Sequence, residues 1–174
     1  LGWSGCTGPE EPTPAARPKP AAQRDTLYIA VESEPKDLLS VVSSSAADAA
    51  VIEATSAVPM EPDFDCRMSW QPSFATSWVF SPDGRSITVS LREDLVWEDG
   101  APVTAEDYAF TYALTADPQV GSAGVDALRR MDPAARPEVI DAHTVRFAFT
   151  EAYDRATMLS HLALPLVPKH ILDS

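Results

Sequence analysis

Basic residues are scarce in this 174-residue chain: 13 Lys and Arg stand against 26 Asp and Glu, a net charge of −13. Such an imbalance repels phosphate backbones and anionic headgroups, which excludes nucleic-acid binding and polybasic docking to a membrane. Cysteine is almost absent. The two present, Cys6 and Cys66, are too far apart for a metal cluster and too few for a disulfide framework. The three histidines, His143, His161 and His170, lack HExxH spacing, so no zinc site is expected. No apolar run nears the roughly 20 residues that a membrane-spanning helix needs. The chain also lacks a G-x-S-x-G elbow, a phosphate-binding loop and a dinucleotide fingerprint. No enzyme, cofactor or metal site is expected from these absences.

The acidic pairs that are present have structural explanations. Glu106 and Asp107 fall in the first turn of an expected helix, where acids complement the dipole. Asp99-Gly100 is ordinary turn chemistry, so paired-carboxylate catalysis by Glu98 and Asp99 has little to rest on. Asp63-x-Asp65 is not followed by the Gly and Glu of a calcium loop. Cys66, with no His or Lys close in sequence, reads as a small hydrophobe.

Residues 1–25 differ from the rest. They hold five of the 16 prolines, three glycines and three charges of each sign, so the whole −13 belongs to 26–174. A Pro/Ala-rich stretch of this kind is an extended spacer between an anchor and a domain. The anchor candidate is Cys6, because Leu1-Gly2-Trp3-Ser4-Gly5-Cys6 resembles the tail of a bacterial lipoprotein signal. Trp3 departs from the aliphatic residue of that pattern, and a chance Gly-Cys in a tail is the alternative.

Along the body, 26–31 reads as a buried strand leaving through Glu32-Ser33-Glu34-Pro35, a segment that Pro35 makes extended. Ser45 opens a helix over 46–55, with Asp48 in capping-box position. Residues 57–75, with three prolines, read as loop. Two alternating runs flank Ser81-Pro82-Asp83-Gly84, which predicts a β-hairpin over 76–92 with Ile87, Val89 and Leu91 on one face. Thr104 and Asp107 cap a helix over 105–116, which Pro118 ends. A polar loop over 118–136, a strand over 139–149 and a short helix near 154–163 complete the reading. Trp78 is expected in the core, and Trp97 either packs beneath a turn or borders a cleft.

Four stretches carry a family pattern. Ala75-Thr-Ser-Trp-Val-Phe-Ser-Pro-Asp-Gly84 is followed by Leu91-Arg-Glu-Asp-Leu-Val-Trp-Glu-Asp-Gly-Ala-Pro-Val-Thr-Ala-Glu-Asp107, then by Pro168-Lys-His-Ile-Leu172. Together with Asp141-Ala-His-Thr-Val145 they resemble the family 5 solute-binding proteins of ABC importers, the peptide, dipeptide, oligopeptide and nickel receptors.

The resemblance implies an α/β, periplasmic-binding-protein-like fold of the class II, cluster C type, present in part. Residues 26–45 would be the first strand and exit segment of lobe one, and 46–174 the small inserted α+β domain. It implies an extracytoplasmic receptor without catalysis that hands a small solute, in the leading reading a peptide, to a membrane permease, with Cys6 of the lipoprotein-like start as its expected lipid anchor. Because ligands gather at strand ends, Glu32, Ser33 and Glu34 are the candidate ligand-binding residues. A solvated acidic loop is the alternative there. Family members run several hundred residues longer, so the chain is expected to be an N-terminal portion. A secreted acidic interaction module without a transport role is the competing reading.

Overall fold

The computed structural model describes residues 30, 33–63, 69–131 and 136–173. Cys6, the Pro-rich stretch, Glu32 and Cys66 lie outside the described residues, as does the strand expected over 26–31 apart from Ala30. The chain divides into two units, Leu1–Ala30 and Val31–Ser174, and the architecture below is that of the second.

In chain order the elements are α1 (Ala46–Thr55), β1 (Met60–Pro62), β2 (Trp70–Pro72), β3 (Ala75–Phe80) and β4 (Ser86–Leu91). There follow α2 (Ala105–Ala116), a 3-10 helix (Ala123–Arg130), β5 (Glu138–Asp141), β6 (Thr144–Ala148), α3 (Arg155–Leu162) and α4 (Lys169–Leu172). Strands β3 to β6 form an antiparallel sheet in the order β3-β4-β6-β5, and β1 pairs with β2 in a small separate sheet.

Alternation places Ile87, Val89 and Leu91 of β4 beside Val145 and Phe147 of β6 on one face, all 3% exposed or less. Tyr108 and Tyr112 of α2 and Met158, Leu159 and Leu162 of α3 join them in a single core. Both tyrosine rings meet Phe147, at 4.9 and 4.8 Å between centroids. Full burial of each large side chain stabilises by about 1.5–3 kcal/mol. Their hydroxyls stay paired: Tyr108 donates to the Leu162 carbonyl at 2.5 Å, and Tyr112 donates to that of His161. Two of the carbonyls that the end of α3 leaves without helical partners are thereby satisfied. Burial pushes both phenols well above their ordinary pKa.

Four expectations are corrected. The stretch 57–75 is not all loop: fully buried Met60 pins β1 against β2, and the Pro59 carbonyl accepts from the Ser73 and Ala75 N–H groups. Its prolines fall at strand ends, where a missing N–H is tolerated. The loop over 118–136 contains the 3-10 helix, started by Ser122, whose hydroxyl accepts from the Gly124 N–H. The strand over 139–149 is a hairpin, because Asp141 Oδ1 accepts the His143 N–H at 2.8 Å and folds a turn between two alternating runs. Trp78 packs against the core but is only half-buried, since β3 is an edge strand of the sheet.

The hairpin turn between β3 and β4 follows its residues. Gly84 donates to the Ser81 carbonyl at 3.0 Å, and Asp83 accepts from the Ser81 hydroxyl and the Arg85 N–H. Gly84 has φ +67° and Gly100 φ +87°, both left-handed. A Cβ on Gly84 would lie 3.4 Å from that of Ala152, whereas Gly100 faces open space. Replacing either by Val should cost roughly 1 kcal/mol or more through backbone strain, and Gly84→Val should cost more than Gly100→Val. Thermal unfolding of the two variants checks the order; melting unchanged in both would refute the turn geometry.

Candidate functional site

Among the expected ligand residues, Ser33 and Glu34 are exposed at the start of an irregular segment, while Glu32 lies outside the described residues. The segment is tied down by a helix cap. Ser45 has the extended backbone of an N-cap, and its hydroxyl accepts the Asp48 N–H at 3.1 Å while Asp48 Oδ2 accepts the Ser45 N–H at 3.2 Å. The other carboxylate oxygen, Oδ1, reaches outside the helix and accepts the N–H groups of Lys36 at 2.8 Å and Asp37 at 3.3 Å. The Lys36 N–H, followed by the Ser45 hydroxyl, holds the Asp48 carboxyl down at about 2, and the side chain is 1% exposed. A carboxyl depressed in the folded state adds stability above its unfolded value, near 3.8, and loses that contribution as pH falls through about 2.

A second cluster joins two stretches that are far apart in sequence. Thr104 caps α2, and Asp107 Oδ2 accepts both its N–H, at 2.8 Å, and its hydroxyl, at 3.1 Å. Asp107 Oδ1 accepts the Lys169 N–H at 2.9 Å, Glu106 pairs with the Lys169 ammonium at 2.8 Å, and Asp99 meets His170 Nε2 at 2.7 Å. His170, followed by the Ala101 N–H, lowers the Asp99 pKa, and Glu106 raises that of Lys169. A shallow groove of about 350 Å³ runs over this cluster; of its charged walls, Glu106 pairs with Lys169, and His170 meets Asp99.

Trp97 opens the turn over 98–100: its backbone N–H donates to the Ala101 carbonyl, and its own carbonyl accepts from the Gly100 N–H. Half-buried, it lines a cleft of about 450 Å³ with Pro168 and Ile171. Of the two alternatives raised for it, the cleft is the one realised. Its indole N–H is buried and has no partner among the described residues.

Spacing revealed the caps but not what their carboxylates reach. That Asp48 also holds Lys36 and Asp37, and that Asp107 holds Lys169, had no local signal, because the acceptors lie 11 to 62 residues from their donors. Among the described residues no group of His, Cys, Asp and Glu could hold a metal ion, and no helix is long and apolar enough to cross a membrane.

Asp107→Ala would strand three donors, two of them on the backbone, and should destabilise the chain by roughly 1–3 kcal/mol. Glu106→Ala, which breaks an exposed ion pair, should cost about 0–1 kcal/mol. Urea denaturation of both variants tests this contrast, and equal losses would show that the buried carboxylate is not the junction.

The chain is similar to known proteins. The family model described as bacterial extracellular solute-binding proteins, family 5 Middle, matches residues 69–172. The oligopeptide-binding protein OppA of Lactococcus lactis subsp. lactis (strain IL1403) is 55% identical over 40 residues, which is 23% of this chain and 7% of the relative. The periplasmic alpha-galactoside-binding protein of Rhizobium meliloti (strain 1021) is 32% identical over 110 residues, 59% of this chain and 15% of the relative. The crystal structure of NikZ from Campylobacter jejuni in complex with Ni(L-His) superposes with a TM-score of 0.70 at 25% identity, over 83% of this chain and 27% of that one. The chain thus spans well under a fifth of these curated relatives. Since the family model covers more than half of the residues and the mixed helix-and-sheet fold matches periplasmic-binding-protein-like structures, the chain belongs to the bacterial extracellular solute-binding proteins of family 5.

Proposed function

We propose that this chain is the N-terminal portion of an extracytoplasmic receptor that captures a peptide and delivers it to an ABC permease. The observation that carries the peptide reading is the 55% identity with an oligopeptide-binding protein. Relatives named for an alpha-galactoside and for nickel–histidine make the solute class the part that needs a test. In this reading 26–45 is the first strand and exit segment of lobe one, and 46–174 is the small inserted domain. Glu32, Ser33 and Glu34 border the solute, and Cys6 carries a lipid that holds the receptor at the membrane through the Pro-rich spacer. The receptor does no chemistry. Affinity comes from closure of two lobes around the solute, and the closed form is what the permease meets.

Two measurements test the reading. Calorimetry of the receptor produced from its complete gene against a mixed di- to pentapeptide library should show binding. The 174-residue chain alone should bind nothing tighter than roughly millimolar, because tight sites bury most of the ligand surface and one wall cannot. A complete receptor that ignores peptides would refute the solute class, and a micromolar hit on the 174-residue chain would refute its incompleteness. Fatty-acid labelling in a bacterial host, with the full signal in place, should mark wild type and spare Cys6→Ala. Equal labelling of both would remove the anchor.

A further inference from the structure

Residues 33–38 have no regular structure, and Ser33, Glu34, Lys36, Asp37 and Leu38 are exposed, Leu38 at 59%. Packing therefore does little to hold them. Beyond them the chain is secured again: Val41 is 5% exposed, the Leu39 carbonyl accepts from the Val42 and Ser43 N–H groups, and the Ser40 hydroxyl donates to the Pro165 carbonyl at 3.3 Å. Between Ser33 and that point, the hydrogen bonds of the segment among the described residues are the two to Asp48 Oδ1. One carboxylate thus does two tasks. Oδ2 closes the cap of α1, and Oδ1 fixes the backbone that carries Ser33 and Glu34.

We propose that Asp48 is a positioning residue for the solute, its Oδ1 clamping the backbone at Lys36 and Asp37 so that Ser33 and Glu34 are presented in one arrangement. The inference rests on the reading that Glu32, Ser33 and Glu34 border the solute. Its physical basis is preorganisation: a segment ordered before binding does not lose that freedom when the solute arrives. A helix cap alone would not need Oδ1, since Ser45 and Oδ2 already complete it. A carboxylate suits the clamp because a charged acceptor strengthens each backbone N–H bond.

Amide hydrogen exchange of the 174-residue chain separates the two tasks. In Asp48→Ala the Lys36 and Asp37 amides should exchange roughly tenfold faster or more, as expected when a charge-assisted bond is lost, while α2 amides keep their rates. Ser45→Ala, which removes a cap acceptor and leaves Oδ1 in place, should change the Lys36 and Asp37 amides less than about threefold. Asp48→Asn keeps a side-chain carbonyl and should fall between, and it replaces Asp48→Ala if that variant does not fold. Wild-type rates at Lys36 and Asp37 in the Asp48 variants, or equal acceleration in Ser45→Ala, would overturn the proposal. In the complete receptor, Asp48→Ala should weaken binding of the same peptide library by roughly tenfold, mainly through faster release. Wild-type affinity in that variant would overturn the positioning role even if the amides are freed. If the wild-type receptor binds no peptide, the functional reading fails, and the exchange rates still decide whether Asp48 is the clamp.

Discussion

One face of α2 holds the end of the domain together. Asp107, Tyr108, Thr111 and Tyr112 lie on neighbouring turns, and each grips a backbone group between His161 and Lys169. The two phenols take the carbonyls of Leu162 and His161, Thr111 accepts the Val167 N–H at 3.0 Å, and Asp107 accepts that of Lys169. Residues 163–168 contain two prolines and no regular structure, so they have no ladder of their own to join. Buried backbone groups without partners are costly, and α2 supplies the partners from side chains. The sheet fixes α2 through Phe147, and α2 in turn fixes the path of the chain as far as α4.

Much of this was legible in the sequence because the deciding interactions are local. The Ser81-Pro-Asp-Gly84 turn, the Ser45 and Thr104 caps and the stop at Pro118 each depend on residues within a few positions of one another. The family pattern over 75–107 and 168–172 gave the fold class for the same reason: it records turns, caps and strand faces. What stayed hidden is long-range. Met60 becomes a core residue only when β1 meets β2, and nothing near it in sequence announces that partner. The caps that announce α2 gave no sign that the hydroxyls of Tyr108 and Tyr112 would bond carbonyls at the end of α3. Asp141 looked like one residue in a strand, whereas its side chain competes for the His143 N–H and turns the chain.

The candidate site was legible to a smaller extent. Residue type placed Ser33 and Glu34 at the exit of a strand, and the structure shows an exposed, irregular segment there. How that segment is ordered could not be read, because Asp48 fits a capping box and a cap explains it fully at short range. The Asp99–His170 and Glu106–Lys169 contacts were invisible for a related reason. Each half sits in a stretch with its own local logic, a turn and a helix start, and the pairing appears only when the ends of the domain meet.

The outer strand β3 also bears on how copies of the chain behave in solution. Its exposed Val79, 67% accessible, sits on an open sheet edge, the kind of surface that recruits further strands. A register shift between Ala75 and Ser77 blunts this edge, and Pro82 lies two residues past its end. The stronger protection is global: a charge of −13 keeps copies apart at neutral pH. That repulsion vanishes near the isoelectric point of about 4.4, so the acidity that repels phosphate backbones also serves as a colloidal guard for the open edge.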